Sequence, residues 1–328
     1  MITNFKGLVT SKKNNSFHCS VQERTIDDLP EGDLLIKVAY SSLNYKDALS
    51  ATGNKGVTRK YPHTPGIDAV GIIIKSKDKN FPINSSVIVS GYDLGMNTSG
   101  GFSEYIRVPS KWAILKPNSL SSKDTMIIGT AGLTAGLCIK TLEENKSING
   151  IKAVVSGASG GVGCIAVKLL SKLGANVTAI TGKNNSHNFL KNLGAQQIID
   201  RKEFLGLLKR PLGKGLWDAA IDVVGGNMLS TILGTMKYGG IVTCCGLVEN
   251  SSFKASVFPF ILRANQLIGI DSAETSITNK KNIWELFSHK WKLKNLDELS
   301  HTVKLEGMYS EIKKILSGKQ SGRVILEL

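Results

Sequence analysis

The chain has 328 residues, of which 41% are hydrophobic and 20% are charged. This length and composition fit a folded globular protein of two domains and exclude a disordered one. Apolar runs such as "AVGIII" are far shorter than a membrane span, and the N-terminus "MITNFKGLVTSKK" lacks the apolar stretch of a signal peptide. We therefore expect a cytoplasmic protein with no membrane partner.

The formal net charge is +15. A nucleic-acid-binding protein gathers its Lys and Arg into a patch, whereas here the lysines are spread through Asn- and Ser-rich segments such as "SKKNNS" and "TGKNNS". We therefore expect a solvated surface and no specific nucleic-acid partner. The excess positive charge also favours a substrate that carries several phosphates.

The cysteines predict neither a disulfide framework nor a structural zinc site, because they are odd in number and never spaced as C-x-x-C. Cys164 follows a Gly-rich loop, where a helix N-terminus would lower its pKa, but packing inside the protein is the simpler interpretation. We expect reduced thiols at Cys19, Cys138, Cys164, Cys244 and Cys245.

Residues 1–120 contain short β-type runs that are broken by Gly, Pro and Asn. Examples are "GDLLIKVAYSSLN", "GIDAVGIII", "SSVIVSG" and "GGFSEYIRVP". Several short strands at close spacing, with turn residues between them, predict a β-rich, barrel-like domain.

Residues 121–270 change to alternating strand and helix patterns. The apolar run "IKAVVSGASGGVG" leads into the amphipathic "CIAVKLLSKLG", and "ANVTAIT", "AQQIID", "WDAAIDVVGG" and "GIVTCCG" follow with helical segments between them. This order predicts a doubly wound α/β domain whose parallel sheet binds ligands at the carboxyl ends of its strands. Residues 271–328, which end in one helix and one strand, are expected to return to the first domain.

The Gly-rich loop "SGASGGVG" at residues 156–163 permits two interpretations. As G-x-x-x-G-x-G it fits the short-chain dehydrogenases, which also need a Tyr-x-x-x-Lys pair, and Tyr309 and Lys313 have that spacing. The loop of that family opens a single-domain chain, however, and too few residues follow Lys313 to complete its fold. "MYSEIKKIL" is also explained as an amphipathic helix.

As A-x-x-G-G-V-G, the loop resembles the cofactor loop of the medium-chain dehydrogenase/reductase superfamily, in its quinone-oxidoreductase branch. Glycines let the backbone approach a pyrophosphate, and the helix that begins near Gly161 directs its N-terminal amides at the negative charge. The strand before the loop and the helix after it favour this interpretation.

The end of the second strand of this domain indicates which nicotinamide cofactor binds. An NAD site usually places an acidic residue there, for the ribose hydroxyls, but this chain has Thr181 and Lys183 in "AITGKNNSH". A hydroxyl and a cation suit a 2′-phosphate, and Arg201 is a second candidate cation. The sequence predicts NADPH.

No metal is expected. Zinc-using members of the superfamily carry a Cys near the start of the barrel and then a Gly-His-Glu, whereas this chain has Asn44 and Tyr45 at the first place and Ile67 and Asp68 at the second. Without a Lewis acid, reduction of an activated carbon–carbon double bond is favoured over alcohol oxidation.

The stretches "SSLNYKDALSATGNKGV", "YPHTPGIDAVG", "MIIGTAGLTAGLCI", "MKYGGIVTCCGL" and "FPFILRANQLIGIDS" together resemble the NADPH-dependent acryloyl-CoA reductases, a zinc-independent group of that branch. The resemblance implies a Rossmann-type parallel sheet plus a GroES-like β-rich domain, and reduction of acryloyl-CoA to propanoyl-CoA. The cofactor contacts that it implies are Tyr45, Ser159, Gly160, Gly161, Val162, Thr181, Gly182, Lys183, Arg201, Leu247, Ile261 and Ser272.

We expect Tyr45 to donate a hydrogen bond to the oxygen of the thioester as charge develops on it, with Asn44 and Asp68 supporting the loop. In the alternative, these three residues only shape the cofactor pocket and water supplies the proton. Candidates for binding the CoA phosphates are Arg59, Lys60 and Arg263.

The segment "LIGIDS" is expected to be a strand that ends at Ser272, and by analogy with the superfamily this strand is expected to pair across a homodimer. Two other functions remain open from the sequence. One is a quinone or enone reductase of the same branch, and the other is a basic RNA-binding protein with a dinucleotide fold.

Overall fold

The computed structural model describes residues 4–14 and 16–328. They form two compact units. Unit 1 contains the residues up to Thr130 together with Ser272–Leu328, and unit 2 contains Ala131–Asp271.

In chain order, the strands are β1 (Asn4–Lys13), β2 (Ser16–Thr25), β3 (Leu34–Ser42), β4 (Asp68–Ser76), β5 (Ser86–Ser90), β6 (Tyr105–Val108), β7 (Ala113–Leu115), β8 (Lys152–Val155), β9 (Asn176–Thr181), β10 (Gln197–Asp200), β11 (Trp217–Asp222), β12 (Met236–Cys244), β13 (Gln266–Gly269), β14 (Ser300–Val303) and β15 (Arg323–Glu327). The α-helices are α1 (Tyr45–Ala51), α2 (Ser122–Asn145), α3 (Gly161–Lys172), α4 (His187–Asn192), α5 (Arg201–Leu205), α6 (Gly226–Thr235), α7 (Phe258–Arg263), α8 (Ile277–Ser288) and α9 (Leu305–Leu316).

Unit 1 is built around a mainly antiparallel sheet. Within the described residues it has seven strands, in the order β14-β15-β3-β4-β5-β7, with β6 paired to β3. In β3, exposed Lys37 lies between buried Ile36 and Val38, as expected for a strand with one face in the core. The C-terminal strand β15 pairs with β3, so the chain end completes the sheet that its first part began.

The described residues of unit 2 form a six-stranded parallel sheet in the order β10-β9-β8-β11-β12-β13. Ala153, Val154 and Val155 of β8 are fully buried, as in a strand covered by helices on both faces. The strand order reverses at β8 and β11. Ligands of doubly wound sheets bind at this kind of reversal. The predicted fold class is confirmed.

Helix α2 is the one described helix that is long and apolar enough, by length and composition, to cross a membrane. However, 78% of its apolar window is buried inside the protein, and Gly129 interrupts the helix with a φ of 48°. A core helix of a soluble protein passes the same test, so α2 gives little support to a membrane span.

Helix α9 accounts for the "MYSEIKKIL" segment. Met308 and Ile312 are buried, and the Lys313 ammonium lies 4.3 Å from the centroid of the Tyr309 ring. The Tyr-x-x-x-Lys spacing is thus that of one helical turn on an amphipathic helix of unit 1.

Candidate active site

The Gly-rich loop connects β8 to α3. Gly157 has a φ of 55°, a conformation that favours glycine. A Cβ on Gly163 would lie 2.4 Å from the carbonyl oxygen of Gly157 and 2.7 Å from Cα of Ala158. Only glycine therefore lets the first turn of α3 pack on the loop, which leaves the helix N-terminus directed at the carboxyl edge of the sheet, where a pyrophosphate fits.

Hydroxyl groups join this loop to the end of β9. The Ser159 and Thr181 hydroxyls are 3.1 Å apart, and the backbone N–H of Lys183 donates to the Thr181 hydroxyl at 3.1 Å. Ser159 and Thr181 are both buried. The structure thus brings together the two parts of the predicted cofactor site that belong to the loop and to the second strand.

Two cations lie beside these hydroxyls. A Cβ built on Gly182 would meet Nη2 of Arg201 at 3.1 Å, so the guanidinium covers that glycine. Burial and, next, the positive charge of Arg201 lower the pKa of Lys183. Two like charges held this close favour an anion between them, and the predicted residues Thr181, Gly182, Lys183 and Arg201 form one cluster.

Asp222, which the sequence analysis missed, supports the Gly-rich loop from β11. Its carboxylate accepts from the Ser156 hydroxyl at 2.6 Å and from the N–H of Gly225 at 2.8 Å, and the Ser156 hydroxyl accepts from the N–H of Val223. Burial raises the pKa of Asp222. An acidic residue at the end of the apolar run "WDAAID" was the available signal.

Cys164 is buried in α3, and its thiol donates to the carbonyl of Gly161 at 3.3 Å. Packing inside the protein is therefore the interpretation that the structure favours. The five cysteines form no disulfide, all of them being within the described residues.

In unit 1, Asp68 opens β4 and is completely buried. Its carboxylate accepts from the Ser42 hydroxyl at 2.7 Å, the Asn44 side-chain amide at 2.8 Å and the Thr130 hydroxyl at 2.7 Å. The backbone N–H of Thr130 donates to the same carboxylate. Asn44 and Asp68 are thus brought together as predicted, whereas Ser42 and Thr130 were missed.

Asn44 is the N-cap residue of α1 and Tyr45 is the first residue of that helix. The Tyr45 side chain is partly exposed, and its hydroxyl has no hydrogen-bond partner within the part of the chain that the structure describes. The hydroxyl of Tyr45 is therefore available to a ligand, in contrast to the fully engaged side chain of Asn44.

Asp47, which was also missed, holds the start of α1 against the "PGID" loop. Its carboxylate accepts from the backbone N–H groups of Asn44 at 2.7 Å, Gly66 at 3.1 Å and Ile67 at 2.8 Å. Burial raises the pKa of Asp47 to about 7, and the charge of Asp68 adds to the rise. Three hydrogen bonds lower the pKa but do not cancel this effect.

Two predicted residues are placed differently from expectation. Arg263 donates to the backbone carbonyls of Met236 at 2.7 Å and Gly213 at 2.5 Å, so its guanidinium is engaged within unit 2. Ser272 does not end a strand, because β13 stops at Gly269, where its partner β12 has reached its own end. Ser272 belongs to unit 1.

Four further predicted residues are exposed. Leu247 follows β12 with 58% of its surface exposed, and Ile261 lies on α7 with 68% exposed. Arg59 and Lys60 are exposed on the loop that follows α1. These residues are accessible to ligands, but no contact in the structure supports a ligand-binding role for them.

The donor set in unit 1 does not fit zinc. The described residues contain no group of three or more His, Cys, Asp or Glu side chains arranged to hold a metal ion. The Asp68 carboxylate is instead surrounded by hydroxyl and amide donors, and zinc sites are built from thiolates, imidazoles and carboxylates.

Two protein families match this chain. Residues 30–118 match the alcohol dehydrogenase GroES-like domain and residues 161–288 match the zinc-binding dehydrogenase family. Over 99% of both chains, the sequence is 36% identical to the acrylyl-CoA reductase AcuI of Ruegeria pomeroyi. The chain belongs to the medium-chain dehydrogenase/reductase superfamily. It is an oxidoreductase, and its resemblance to the acrylyl-CoA reductases is confirmed.

Two further members of the superfamily are similar over nearly the whole chain. The putative quinone oxidoreductase YhfP of Bacillus subtilis is 39% identical over 100% of both chains. The crystal structure of the yhdH oxidoreductase from Salmonella enterica in complex with NADP is 38% identical, with a TM-score of 0.94 over 98% of this chain and 99% of that one. A crystal structure of yhfP, with NAD bound, has a TM-score of 0.95 and covers 99% of this chain and 100% of that one.

Proposed function

We propose that this oxidoreductase reduces the carbon–carbon double bond of acryloyl-CoA to propanoyl-CoA with NADPH. The observation that carries the proposal is the full-length similarity to the acrylyl-CoA reductase of R. pomeroyi. The buried hydroxyls and paired cations at the end of β9 support the choice of cofactor.

The residues present fit NADPH. Gly163 lets the first turn of α3 pack closely on the Gly-rich loop, so the N-terminus of α3 is directed to where a pyrophosphate would bind. Thr181, Lys183 and Arg201 offer a hydroxyl and two cations to a 2′-phosphate. The bound NADP of the S. enterica relative supports the same cofactor, and the NAD bound to yhfP makes the phosphate cluster the feature to test.

When bound, NADPH would supply a hydride to the β-carbon of the enoyl thioester, and a proton from the Tyr45 hydroxyl would then reach the α-carbon to complete propanoyl-CoA. Between these two steps negative charge develops on the thioester oxygen, and the Tyr45 hydroxyl donates a hydrogen bond to that oxygen. Asn44 and Asp68 hold the helix start that carries Tyr45. In the alternative, water supplies the proton and Tyr45 contributes only shape.

The substrate phosphates require cations, and Arg59 and Lys60 are the exposed candidates. Arg263 is no longer a candidate for binding the CoA phosphates, because its guanidinium donates to backbone carbonyls. The net charge of +15 attracts a polyphosphate substrate in a less specific way.

The enzyme is expected to be cytoplasmic and to form a homodimer through the edge strand β13. Sedimentation of the purified chain at micromolar concentration checks the dimer. A monomer there would remove this part of the proposal.

A quinone or enone reductase is the second candidate, and the name of the B. subtilis relative favours it. An assay that follows the loss of NADPH absorbance distinguishes the two candidate functions. Acryloyl-CoA, crotonyl-CoA, acrylate and a quinone are tested in parallel as acceptors. The proposal expects the highest kcat/KM with acryloyl-CoA. A higher kcat/KM with the quinone would replace it with the second candidate.

A further inference from the structure

Beyond these assignments, we infer that Arg323, on the C-terminal strand β15, is a positioning residue for Tyr45. Together with Asp68 it holds the side chain of Asn44, the residue that begins α1 and directly precedes Tyr45. This inference rests on the proposed role of Tyr45 in the reaction.

Arg323 is 2% exposed and uses its whole guanidinium inside unit 1. Its Nε donates to the carbonyl of Ile127 at 3.0 Å. Nη1 donates to the carbonyl of Leu43 and to Oδ1 of Asn44, each at 3.2 Å, and Nη2 donates to the Ser42 hydroxyl at 2.8 Å. One side chain thus ties the end of β3 to the start of α1.

The Asp68 carboxylate holds the same groups from the other side. The Ser42 hydroxyl, which accepts from Arg323, donates onward to Oδ2 of Asp68 at 2.7 Å. The side-chain nitrogen of Asn44 donates to the same oxygen at 2.8 Å. The Asn44 amide therefore has its oxygen fixed by a cation and its nitrogen fixed by an anion, so the reversed amide would oppose like partners at both ends.

Arg323 and Asp68 carry opposite charges, and the neutral side chains of Ser42 and Asn44 lie between them. The site leaves no space for these side chains to rearrange. A Cβ on Gly129 would lie 2.7 Å from the Ser42 hydroxyl, 2.9 Å from the Asp68 carboxylate and 3.0 Å from Nη2 of Arg323. Lysine keeps the charge of Arg323 but cannot reproduce several donors fixed in one plane. Loss of this geometry frees the Asn44 side chain and, with it, the first turn of α1.

The first experiment reads the position of Tyr45 without substrate or cofactor. The protein is labelled with 3-fluorotyrosine, and the Tyr45 signal in the fluorine NMR spectrum is assigned with Tyr45→Phe. Arg323→Lys is expected to shift or broaden that signal. Ser42→Ala, which removes one link and no charge, serves as a second variant with the same expected direction.

Arg107→Lys is the matched control, because Arg107 is a partly exposed arginine of unit 1 that also donates to backbone carbonyls, those of Leu29 and Pro30. It is expected to leave the Tyr45 signal unchanged. An unchanged Tyr45 signal in both Arg323→Lys and Ser42→Ala would overturn the inference.

The second experiment measures kinetics with the acceptor that the wild type reduces best. Arg323→Lys is expected to lower kcat about 10-fold or more and to leave the KM for NADPH within about 2-fold. In a Tyr45→Phe background the same substitution is expected to change kcat by less than about 2-fold, because residues that act as a unit are not additive. An undiminished effect in that background would refute a route through Tyr45. If the wild type fails to reduce acryloyl-CoA, the proposed function fails, while the NMR result still decides the role of Arg323.

Discussion

The Lys280 ammonium lies 3.3 Å from the centroid of the Tyr92 ring. The same group donates to the backbone carbonyls of Ser90 at 2.7 Å and Ala273 at 2.8 Å, and Lys280 is 1% exposed. A buried ammonium is stable only where acceptors replace its water. Here it fastens the segment that follows Ser272 to the loop after β5, within unit 1.

Replacing Lys280 by Met is therefore expected to lower the free energy of unfolding by about 2–4 kcal/mol, because the carbonyls of Ser90 and Ala273 each lose a donor and the cation–π contact is lost. Urea denaturation measures the change. Lys281→Met, at the exposed neighbouring lysine, is the control and is expected to change stability by less than about 0.5 kcal/mol. Equal stability of the two variants would show that the buried contacts contribute little.

Lys183→Glu tests the cofactor assignment. Reversing this charge beside Arg201 is expected to raise the KM for NADPH about 10- to 100-fold. The 2′-phosphate loses a hydrogen bond from a charged group, and the new carboxylate repels it. The KM for NADH is expected to stay nearly unchanged, because NADH lacks the 2′-phosphate.

The control for that test is Lys191→Glu, which makes the same charge reversal at an exposed position of α4. It is expected to leave both KM values within about 2-fold, since a surface charge is screened by salt. Equal changes for NADPH and NADH in Lys183→Glu would contradict a 2′-phosphate site at this cluster.

Tyr45→Phe distinguishes the two proposed mechanisms. In one, the Tyr45 hydroxyl donates to the thioester oxygen; in the other, water supplies the proton and Tyr45 contributes only shape. If the hydroxyl stabilises developing charge, its removal is expected to lower kcat about 100-fold, the magnitude typical of one lost donor. Steady-state kinetics with acryloyl-CoA measures it. Tyr238→Phe, the control, removes the hydroxyl of an exposed tyrosine on β12 and should behave as wild type. Near-normal kcat in Tyr45→Phe would favour the water mechanism instead.

Features that depend on residues close in sequence could be predicted, and features that depend on distant partners could not. The Gly-rich loop and the "TGK" after β9 have fixed offsets from a strand, so their chemistry is visible in the sequence. Arg323 and Ser42 are separated by 281 positions, and no periodicity connects them. The predicted end of β13 lies too far along the chain. A strand ends where its neighbouring strand ends, and the sequence of one strand does not show where its neighbour stops.

The same reasoning explains why Asn44 was understood only in part. The motif "SSLNYKD" marks the residue, but the Arg and Asp that hold its amide come from β15 and β4. Similarly, Asp222 lies beyond the loop it supports, because β11 is adjacent to β8 in the sheet and not in the chain.

Asp47 is expected to give the protein a characteristic pH dependence. Its folded-state pKa of about 7 lies above its ordinary value of 3.8 because of burial. The folded state therefore binds the proton more tightly than the unfolded state, so the stability linked to this group is complete below about pH 4, declines as pH rises towards about 7, and is constant above that.

Asp47→Asn removes this titration. The free energy of unfolding of the wild type minus that of Asp47→Asn, measured by urea denaturation from pH 5 to pH 8, is expected to fall by up to about 1.4 kcal/mol per pH unit below pH 7 and then to level off. Subtraction of the variant cancels the other carboxylates. Asp27→Asn, at an exposed carboxylate, should follow the wild type across the range. A difference that stays constant between pH 5 and pH 7 would mean that Asp47 is ionised throughout, held so by the N–H groups of Asn44, Gly66 and Ile67.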